Sequence, residues 1–239
     1  MYVIRILGVK GGVGKTTISL YLVNYLSELG KCLLIDYDNL AYGSLLLGHT
    51  RSGLAEEIIN GLRPLSESLK TVSDNAYLLK IFSDISTKSR ISKIEAKIIQ
   101  SIIRKLLKSE KWDYVIIDTP PAPSNDDPII SVDGEINYDV FVTDITNIIS
   151  TINFFASFKD DMRKNVLFLN LIPPIKDDIE KTKEIAKNYR DIFDMVVVET
   201  FEEQLYLYKL SKLSLFKSRT LDRFIEALLN GEKIIVHPD

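Results

Sequence analysis

The chain has 239 residues, 46% of them hydrophobic, and its formal net charge at pH 7 is −3. This length supports one sizeable α/β core and is short for two domains. The near-neutral charge excludes a globally basic nucleic-acid-binding protein, so any DNA-binding surface must be local, and a single cysteine, Cys32, excludes a disulfide framework.

Short apolar runs alternate with helical patterns along the chain. The runs predicted as strands are residues 3–9, 32–35, 77–82, 114–117, 140–143, 166–171 and 195–198. The helical patterns cover residues 16–29, 54–60, 92–108, 146–162, 177–189 and 221–230. This alternation predicts an α/β fold with a doubly wound, mostly parallel sheet that helices cover on both faces, and we expect residues 1–239 to form one domain. Ligands of such sheets bind at the carboxyl ends of the strands.

A glycine-rich loop follows the first predicted strand and opens the first predicted helix. It runs through Lys10, Gly11, Gly12, Val13, Gly14, Lys15, Thr16 and Thr17. The Gly-Lys-Thr ending matches the phosphate-loop pattern G-x-x-x-x-G-K-[ST], but Val9 stands where the first glycine of that pattern would be. Glycines let backbone N–H groups converge on phosphate oxygens, and the N-terminus of the following helix adds further donors. We predict that Lys15 bridges the β- and γ-phosphates and that the Thr16 hydroxyl binds Mg²⁺, the alternative being a turn without a ligand.

The second lysine of this loop, Lys10, and the Gly-Gly-Val-Gly-Lys-Thr-Thr that follows it resemble the deviant phosphate loop of the ParA/MinD family of P-loop ATPases. The resemblance extends along nearly the whole chain. It implies a slow, partner-stimulated ATPase that binds ATP and Mg²⁺ and forms a homodimeric nucleotide sandwich while ATP is bound. It also implies that Lys10 reaches the phosphates of the other subunit, where a cation neutralises charge on the transferring phosphoryl group. Otherwise Lys10 is a solvated loop lysine.

Three aspartates at strand ends would complete this site. Asp118 ends an apolar run and precedes Thr-Pro-Pro, which resembles the Walker B strand of the family, and its carboxylate can hold the water shell of Mg²⁺. Asp36 would lie near the same waters. Asp38 resembles the aspartate that orients or deprotonates the attacking water, although it would alternatively cap the following turn. Residues 121–127 form the candidate switch segment that senses the γ-phosphate.

The base pocket is the part of the site where the sequence departs from the family. Asn170 ends the sixth predicted strand, where the family presents an asparagine amide to the adenine edge. An amide offers a donor and an acceptor, which suits adenine, although a strand-end asparagine also forms turns. After the seventh strand the family has an Ile-Pro segment, whereas this chain has Glu199, Thr200 and Phe201.

A local basic cluster provides the candidate DNA contacts, which are Lys209, Lys212, Lys217 and Arg219. On a continuous helix, Lys209, Lys212 and Arg219 would share one stripe. With the family resemblance, this cluster indicates a ParA-like ATPase whose ATP-bound dimer binds nonspecific DNA in chromosome or plasmid segregation, stimulated by a centromere-binding or other partner protein. The alternative for the cluster is a solvated helix face.

Two other functions use related loops. A MinD-like ATPase positions a partner on the membrane surface and needs a C-terminal amphipathic helix, whereas here the last helical pattern stops at Gly231 and a short extended tail follows. Small-molecule ligases of the wider superfamily usually lack the Lys-Gly-Gly start. With no charged leader and no apolar run of about 18 residues, we expect a cytoplasmic protein without a stable membrane anchor, associated with the nucleoid if it binds DNA.

Overall fold

The computed structural model describes residues 1–158, 160–202 and 217–238. The strands within these ranges are β1 (Tyr2–Leu7), β2 (Cys32–Asp36), β3 (Leu69–Thr71), β4 (Ala76–Lys80), β5 (Tyr114–Asp118), β6 (Ile136–Thr143), β7 (Lys164–Ile172), β8 (Met195–Thr200) and β9 (Ile235–Val236). They form one sheet in the order β3-β4-β2-β5-β1-β6-β7-β8-β9. Every neighbouring pair is parallel except β3 with β4. The predicted mostly parallel sheet is therefore confirmed.

Eight α-helices lie in the described residues: α1 (Lys15–Leu26), α2 (Tyr42–Leu46), α3 (Leu54–Ile59), α4 (Ile85–Arg90), α5 (Lys93–Ser109), α6 (Ile148–Phe158), α7 (Lys176–Lys187) and α8 (Arg219–Asn230). The six predicted helices correspond to α1, α3 and α5–α8, whereas the short α2 and α4 were not predicted. The pattern at residues 146–162 gives a shorter helix than expected, because a 3₁₀ turn, Ile145–Asn147, precedes α6. Among the described residues, no helix is both long and apolar enough to cross a membrane.

The helices cover both faces of the sheet, as predicted. Successive side chains of a strand point to opposite faces, so Ile4 belongs to one hydrophobic core and Val3 to the other. α1, α2 and α8 pack on the Ile4 face, and α3, α5, α6 and α7 pack on the Val3 face. Buried on both sides, the parallel strands expose their carboxyl ends at one edge, where β1, β2 and β5 deliver the phosphate loop and the aspartates.

A buried ionic cluster joins the centre of the sheet to its β6–β7 side. Asp139 on β6 pairs in register with Arg5 on β1. The Arg5 Nε donates to Asp139 Oδ1 at 2.6 Å, and the Nε of Arg163, just before β7, donates to the same oxygen at 2.7 Å. The side chain of Asp139 is completely buried, so the two guanidinium groups offset the cost of removing a carboxylate from water.

Candidate nucleotide-binding site

The loop between β1 and α1 forms a cradle at the carboxyl edge of the sheet. Gly12 and Gly14 have φ values of 79° and 95°, a left-handed conformation that glycine adopts without strain. A Cβ atom on Gly14 would lie 2.3 Å from Nδ2 of Asn170, so close approach also requires glycine there. α1 begins at Lys15, as predicted, and the N–H groups of its first turn have no intrahelical partner. This geometry suits a bound anion.

The two lysines of the loop lie in different environments. Lys15 is 6% exposed, and its Nζ donates to the carbonyl oxygen of Lys10 at 3.3 Å. Burial lowers the pKa of Lys15, while the negative charges of Asp118 and Asp38 act in the opposite direction. The side chain of Lys10 is 56% exposed, and its Nζ lies 3.6 Å from Asp144 Oδ2. Lys15 is thus held inside the cleft, and Lys10 lies at its rim.

Asp36 and Asp118 lie side by side because β2 and β5 pair with these residues in register. Both are completely buried. Asp36 Oδ2 accepts hydrogen bonds from the backbone N–H and the hydroxyl of Ser44, each at 2.6 Å. Neither carboxylate oxygen of Asp118 has a hydrogen-bond donor among the described residues. Two buried carboxylates therefore adjoin, and one of them lacks a partner.

The pKa values of this pair reflect the same environment. Burial raises the pKa of both carboxyl groups, and the neighbouring charge of Asp36 raises that of Asp118 further. The Thr16 hydroxyl approaches Asp118 without completing a hydrogen bond, and it and Lys15 oppose this rise. Lys15 thus offsets only part of the negative charge where the two carboxylates meet.

This donor set fits Mg²⁺. Carboxylate and hydroxyl oxygens are the ligands of a hard cation, and a dication would supply the charge that Asp118 lacks. Mg²⁺ keeps several of its waters, so few protein ligands suffice. Among the described residues, no three or more His, Cys, Asp or Glu side chains form a group that could hold a metal. Thr16, Asp36 and Asp118 are the residues positioned to hold the ion.

Asp38 lies just beyond β2, at the mouth of the cleft that the loop between β1 and α1 forms, called the phosphate cleft below. It is half-buried and lines this cleft together with Lys15, Thr16 and Pro121. Its Oδ1 accepts a hydrogen bond from the Leu40 N–H at 2.9 Å, so Asp38 does cap the following turn. A carboxylate has two oxygens with several lone pairs, and this cap leaves capacity for a further donor.

The switch segment, residues 121–127, contacts both the phosphate loop and the end of β2. Ala122, with φ 45°, donates its N–H to the Gly8 carbonyl at 2.8 Å. At the other end, the Tyr37 hydroxyl donates to the Asp127 carboxylate, and the Lys88 Nζ lies 5.2 Å from the centre of the Tyr37 ring. No local sequence pattern pointed to these contacts, because they join residues about 90 and 50 positions apart.

A second cleft continues from the phosphate loop toward β7 and β8. Its lining includes Thr17, Asn170, Leu171, Phe201 and Leu221. Asn170 lies beside the loop, but its Nδ2 donates to the Val13 carbonyl at 2.8 Å, so one amide hydrogen supports the loop. Leu171 has φ 62° and lies where the β7–β8 register shifts. A strand irregularity of this kind redirects side chains next to functional sites.

Glu199 is a buried acid in the lining of this cleft, and no functional role was predicted for it from the sequence. It is 3% exposed, and the Ser218 hydroxyl donates to its two carboxylate oxygens at 3.1 and 3.3 Å. Burial raises the pKa of Glu199 to about 7, and the Ser218 hydrogen bond partly opposes this. The sequence signal that could have indicated a buried acid here is a glutamate directly after the apolar residues 195–198. Ser44, buried beside Asp36, gave no comparable signal.

The predicted basic cluster is only partly described. Lys209 and Lys212 lie outside the described residues, and Lys217 and Arg219 are exposed. Ser218 is extended, with φ −111° and ψ 120°, and its hydroxyl accepts the Leu221 N–H at 3.2 Å. α8 therefore begins at Arg219, so the continuous helix on which Arg219 would share a stripe with Lys209 and Lys212 does not extend back through Ser218.

Comparison with known proteins identifies the family. The AAA-domain family matches residues 1–126, more than half of the chain, and this match includes the loop and all three aspartates. The chain belongs to the ParA/MinD family of P-loop ATPases. The chromosome-partitioning ATPase Soj of Thermus thermophilus is 34% identical over 116 residues, which cover 48% of this chain and 44% of that protein. The chain spans about half the length of the curated relatives it matches.

Solved structures of the family share the fold along most of the chain. A putative plasmid partition protein of Borrelia burgdorferi, bound to AMPPNP, has a TM-score of 0.70 at 20% identity, over 96% of this chain and 97% of that one. The septum site-determining protein MinD of Pyrococcus horikoshii, complexed with Mg-ADP, has a TM-score of 0.67 at 22% identity, over 96% of each chain. At these identities the likeness shows the fold.

Proposed function

We propose that this P-loop ATPase binds ATP with Mg²⁺, forms an ATP-dependent sandwich dimer and acts in chromosome or plasmid segregation by binding nonspecific DNA. The observation that carries the proposal is the buried Asp118 carboxylate without a donor, beside Asp36, Thr16 and Lys15. An unpaired buried carboxylate costs several kcal/mol, and a bound cation offsets that cost. The partition proteins among its relatives support the segregation role.

The loop and its neighbours bind the triphosphate. Residues 11–17 surround the phosphates with backbone N–H groups, and the Lys15 ammonium contacts the β- and γ-phosphates. Mg²⁺, when bound, neutralises charge on the same phosphate oxygens. The protein fixes its ligands in advance, because Ser44 holds the Asp36 carboxylate through two hydrogen bonds. Asn170 keeps one N–H and its carbonyl for the base.

Hydrolysis depends on Asp38 and on Lys10. Asp38, at the cleft mouth, orients the attacking water and accepts its proton, while its bond to Leu40 fixes the carboxylate. Lys10 acts across the dimer. Its pair with Asp144 is exposed and 3.6 Å long. Such a pair is worth about 0–1 kcal/mol, so Lys10 exchanges it for a phosphate of the partner at little cost.

The dimer is the active form of the protein. ATP favours dimerisation, and the dimer binds DNA through the cluster of Lys209, Lys212, Lys217 and Arg219. Hydrolysis returns the protein to the monomer. A centromere-binding or other partner protein stimulates turnover. Residues 1–239 act as one domain in the cytoplasm, and the ATP-bound form associates with the nucleoid.

The test is co-sedimentation of the Asp38→Ala protein with nonspecific duplex DNA and, separately, with anionic liposomes, each with ATP and with ADP. Without hydrolysis the ATP-bound dimer accumulates, so we expect ATP-dependent, salt-sensitive pelleting with DNA alone. Asp38→Ala combined with Lys15→Ala is the matched control, and it stays in the supernatant. Pelleting with liposomes alone supports a MinD-like function and contradicts the DNA proposal. Pelleting with neither leaves a protein as the partner of the dimer and also contradicts it.

A further inference from the structure

The solvent face of α5 carries a group of unpaired cations. The helix contains one carboxylate, Glu95, and five cations, Lys93, Lys97, Arg104, Lys105 and Lys108. All five cations are exposed, and within the part of the chain that the structure describes none forms an ion pair. Glu95 is engaged elsewhere, because it accepts the Ser92 N–H at 2.7 Å in a capping box. The face is therefore positive and uncompensated.

Helix geometry arranges four of these cations in a straight line. At about 100° per residue, Lys93, Lys97, Arg104 and Lys108 fall within an arc of about 60°, and the line is about 22 Å long. The opposite face buries Ile99, Ile103 and Leu106 against the sheet. This packing fixes the direction in which the cation stripe, as we call these four residues, points.

α7, on the same face of the sheet, shows that such a stripe is not a general property of the surface. Its 12 residues contain four lysines and four carboxylates. Lys183 pairs with Glu180 at 3.1 Å, and Lys187 pairs with Glu184 at 2.5 Å. With a net charge of −3 for the whole chain, an unpaired cationic helix is a local exception.

We propose that the cation stripe of α5 binds the phosphate backbone of duplex DNA, as a second contact surface besides the Lys209–Arg219 region. This inference rests on the proposed segregation function. Duplex DNA presents one negative charge per about 1.7 Å of its axis, so a straight, unpaired row of cations can displace several counterions at once. α5 itself contains no aromatic residue, and its exposed apolar residues are Ile94 and Ile98. Two isoleucines form a narrow apolar strip for insertion into a membrane interface, whereas the row of cations beside them suits a phosphate backbone.

The stripe starts beside the switch segment. Ile91, two residues before α5, and Ala96, in its first turn, line one surface pocket with Tyr37, Lys88 and Asp127. Asp127 ends the segment that is expected to sense the γ-phosphate. The N-terminal end of the stripe thus adjoins the nucleotide-responsive part of the fold, and we expect ATP to strengthen its contact with DNA.

The experiment compares two triple variants that remove the same charge. Lys97→Gln/Arg104→Gln/Lys108→Gln changes α5, and Lys176→Gln/Lys181→Gln/Lys187→Gln changes α7. Glutamine keeps helix propensity, and circular dichroism and ATP affinity verify that both variants fold. Fluorescence anisotropy with a random-sequence duplex, in ATP and Mg²⁺ across a KCl series, gives the affinity and its salt slope.

We expect the α5 variant to bind DNA about 100-fold more weakly at about 0.1 M KCl, with a salt slope smaller by about 2.7 per protomer. The α7 variant should stay within about 3-fold of the wild type, because its cations are balanced by carboxylates. Wild-type affinity and slope in the α5 variant overturn the inference and leave the segregation function intact. Equal losses in both variants also overturn it, since they show a general charge effect.

Vesicles of phosphatidylglycerol provide the last arm. Binding of the wild type to vesicles and not to DNA overturns both this inference and the segregation function. If DNA binding survives in the α5 variant while vesicle binding is lost, the stripe is a lipid surface and the inference fails alone. Ile94→Ser/Ile98→Ser should leave DNA binding within about 3-fold of the wild type, because neither side chain bears a charge.

Discussion

The two clefts of the candidate site differ in how they are formed. The phosphate side, the cleft at the loop and the aspartates, consists of backbone N–H groups and charged side chains. The base side, the cleft at Asn170 and Glu199, consists of side chains that distant elements bring together. On the phosphate side, one loop supplies the donors, and Asp36 and Asp118 adjoin on neighbouring strands. On the base side, Asn170 on β7, Glu199 on β8 and Leu221 on α8 meet only in the folded chain. The family match covers residues 1–126, so it contains the loop and the aspartates of the phosphate side but not Asn170, Glu199 or Leu221. The phosphate side thus lies within the matched part of the chain, whereas the base side takes part of its lining from beyond it.

The largest effect we expect lies outside both sides, at the buried ionic cluster of Arg5, Asp139 and Arg163. Asp139→Ala leaves the buried Arg5 without a carboxylate and Arg163 with only the exposed Asp133, so the free energy of unfolding should fall by about 3–5 kcal/mol. Urea denaturation measures this. Asp133→Ala is the control, because Asp133 bonds Arg163 from a 69% exposed position and should cost less than about 1 kcal/mol. Similar losses of unfolding free energy in both variants would contradict a stabilising role for the buried Asp139 carboxylate.

Lys15→Ala tests the phosphate side. Removing the buried ammonium eliminates a charge-assisted contact with the phosphates, so ATP affinity should fall at least about 100-fold by isothermal titration calorimetry. Lys10→Ala is the matched change at the rim. Because we propose that Lys10 reaches phosphates only across the dimer, the affinity of the Lys10→Ala monomer for ADP should change less than about 3-fold. Tight ATP binding by Lys15→Ala would contradict the loop assignment.

Glu199→Gln tests whether a protonated acid holds the base side. Burial raises the pKa of Glu199 to about 7, from an ordinary value of 4.5. Between these values the folded state keeps a proton that the unfolded state loses, so wild-type stability falls as pH rises through this window, by up to about 1.4 kcal/mol per pH unit. From pH 5 to 8 the variant should gain about 2 kcal/mol relative to the wild type.

Urea denaturation across this pH range measures the gain at Glu199. Glu202→Gln, at a half-buried neighbour, is the control and should show no such gain. A pH-independent difference between Glu199→Gln and the wild type would show that Glu199 is ionised in the folded protein at pH 5.

We expect the smallest effect at Asn170. This residue shows whether the phosphate side and the base side act independently. Its amide bonds the Val13 carbonyl, so Asn170→Ala should weaken the phosphate loop as well as base binding. Loss of one neutral hydrogen bond is worth about 1 kcal/mol, or about 5-fold in affinity. Titration with ATP and with pyrophosphate should show a loss for both ligands. A loss for ATP alone would show that the two sides act independently.

The phosphate side was predictable because its signals are short-range. The apolar run of β1, the glycine loop and the Lys15 helix start follow one another directly, and Asp118 directly ends its strand. The sheet followed from the alternation of strands and helices. Its antiparallel edge strand, β3, was missed because three residues are too few to show a period.

What the sequence could not supply are contacts between distant residues. Ser44 reaches Asp36 only because α2 folds back over the end of β2. The Tyr37–Asp127 bond spans 90 positions, and the extended backbone at Ser218 starts α8 at Arg219, which spacing alone did not indicate. α5 was predicted almost to its ends, yet the position of its cation stripe depends on which face packs on the sheet.

Sedimentation velocity of the Asp38→Ala protein shows whether ATP drives the formation of a dimer that Lys10 completes. With ATP and Mg²⁺ we expect a dimer, with ADP a monomer, and after a further Lys10→Ala change a monomer in both. A monomer with ATP, or a dimer that forms equally well without Lys10, would contradict the account.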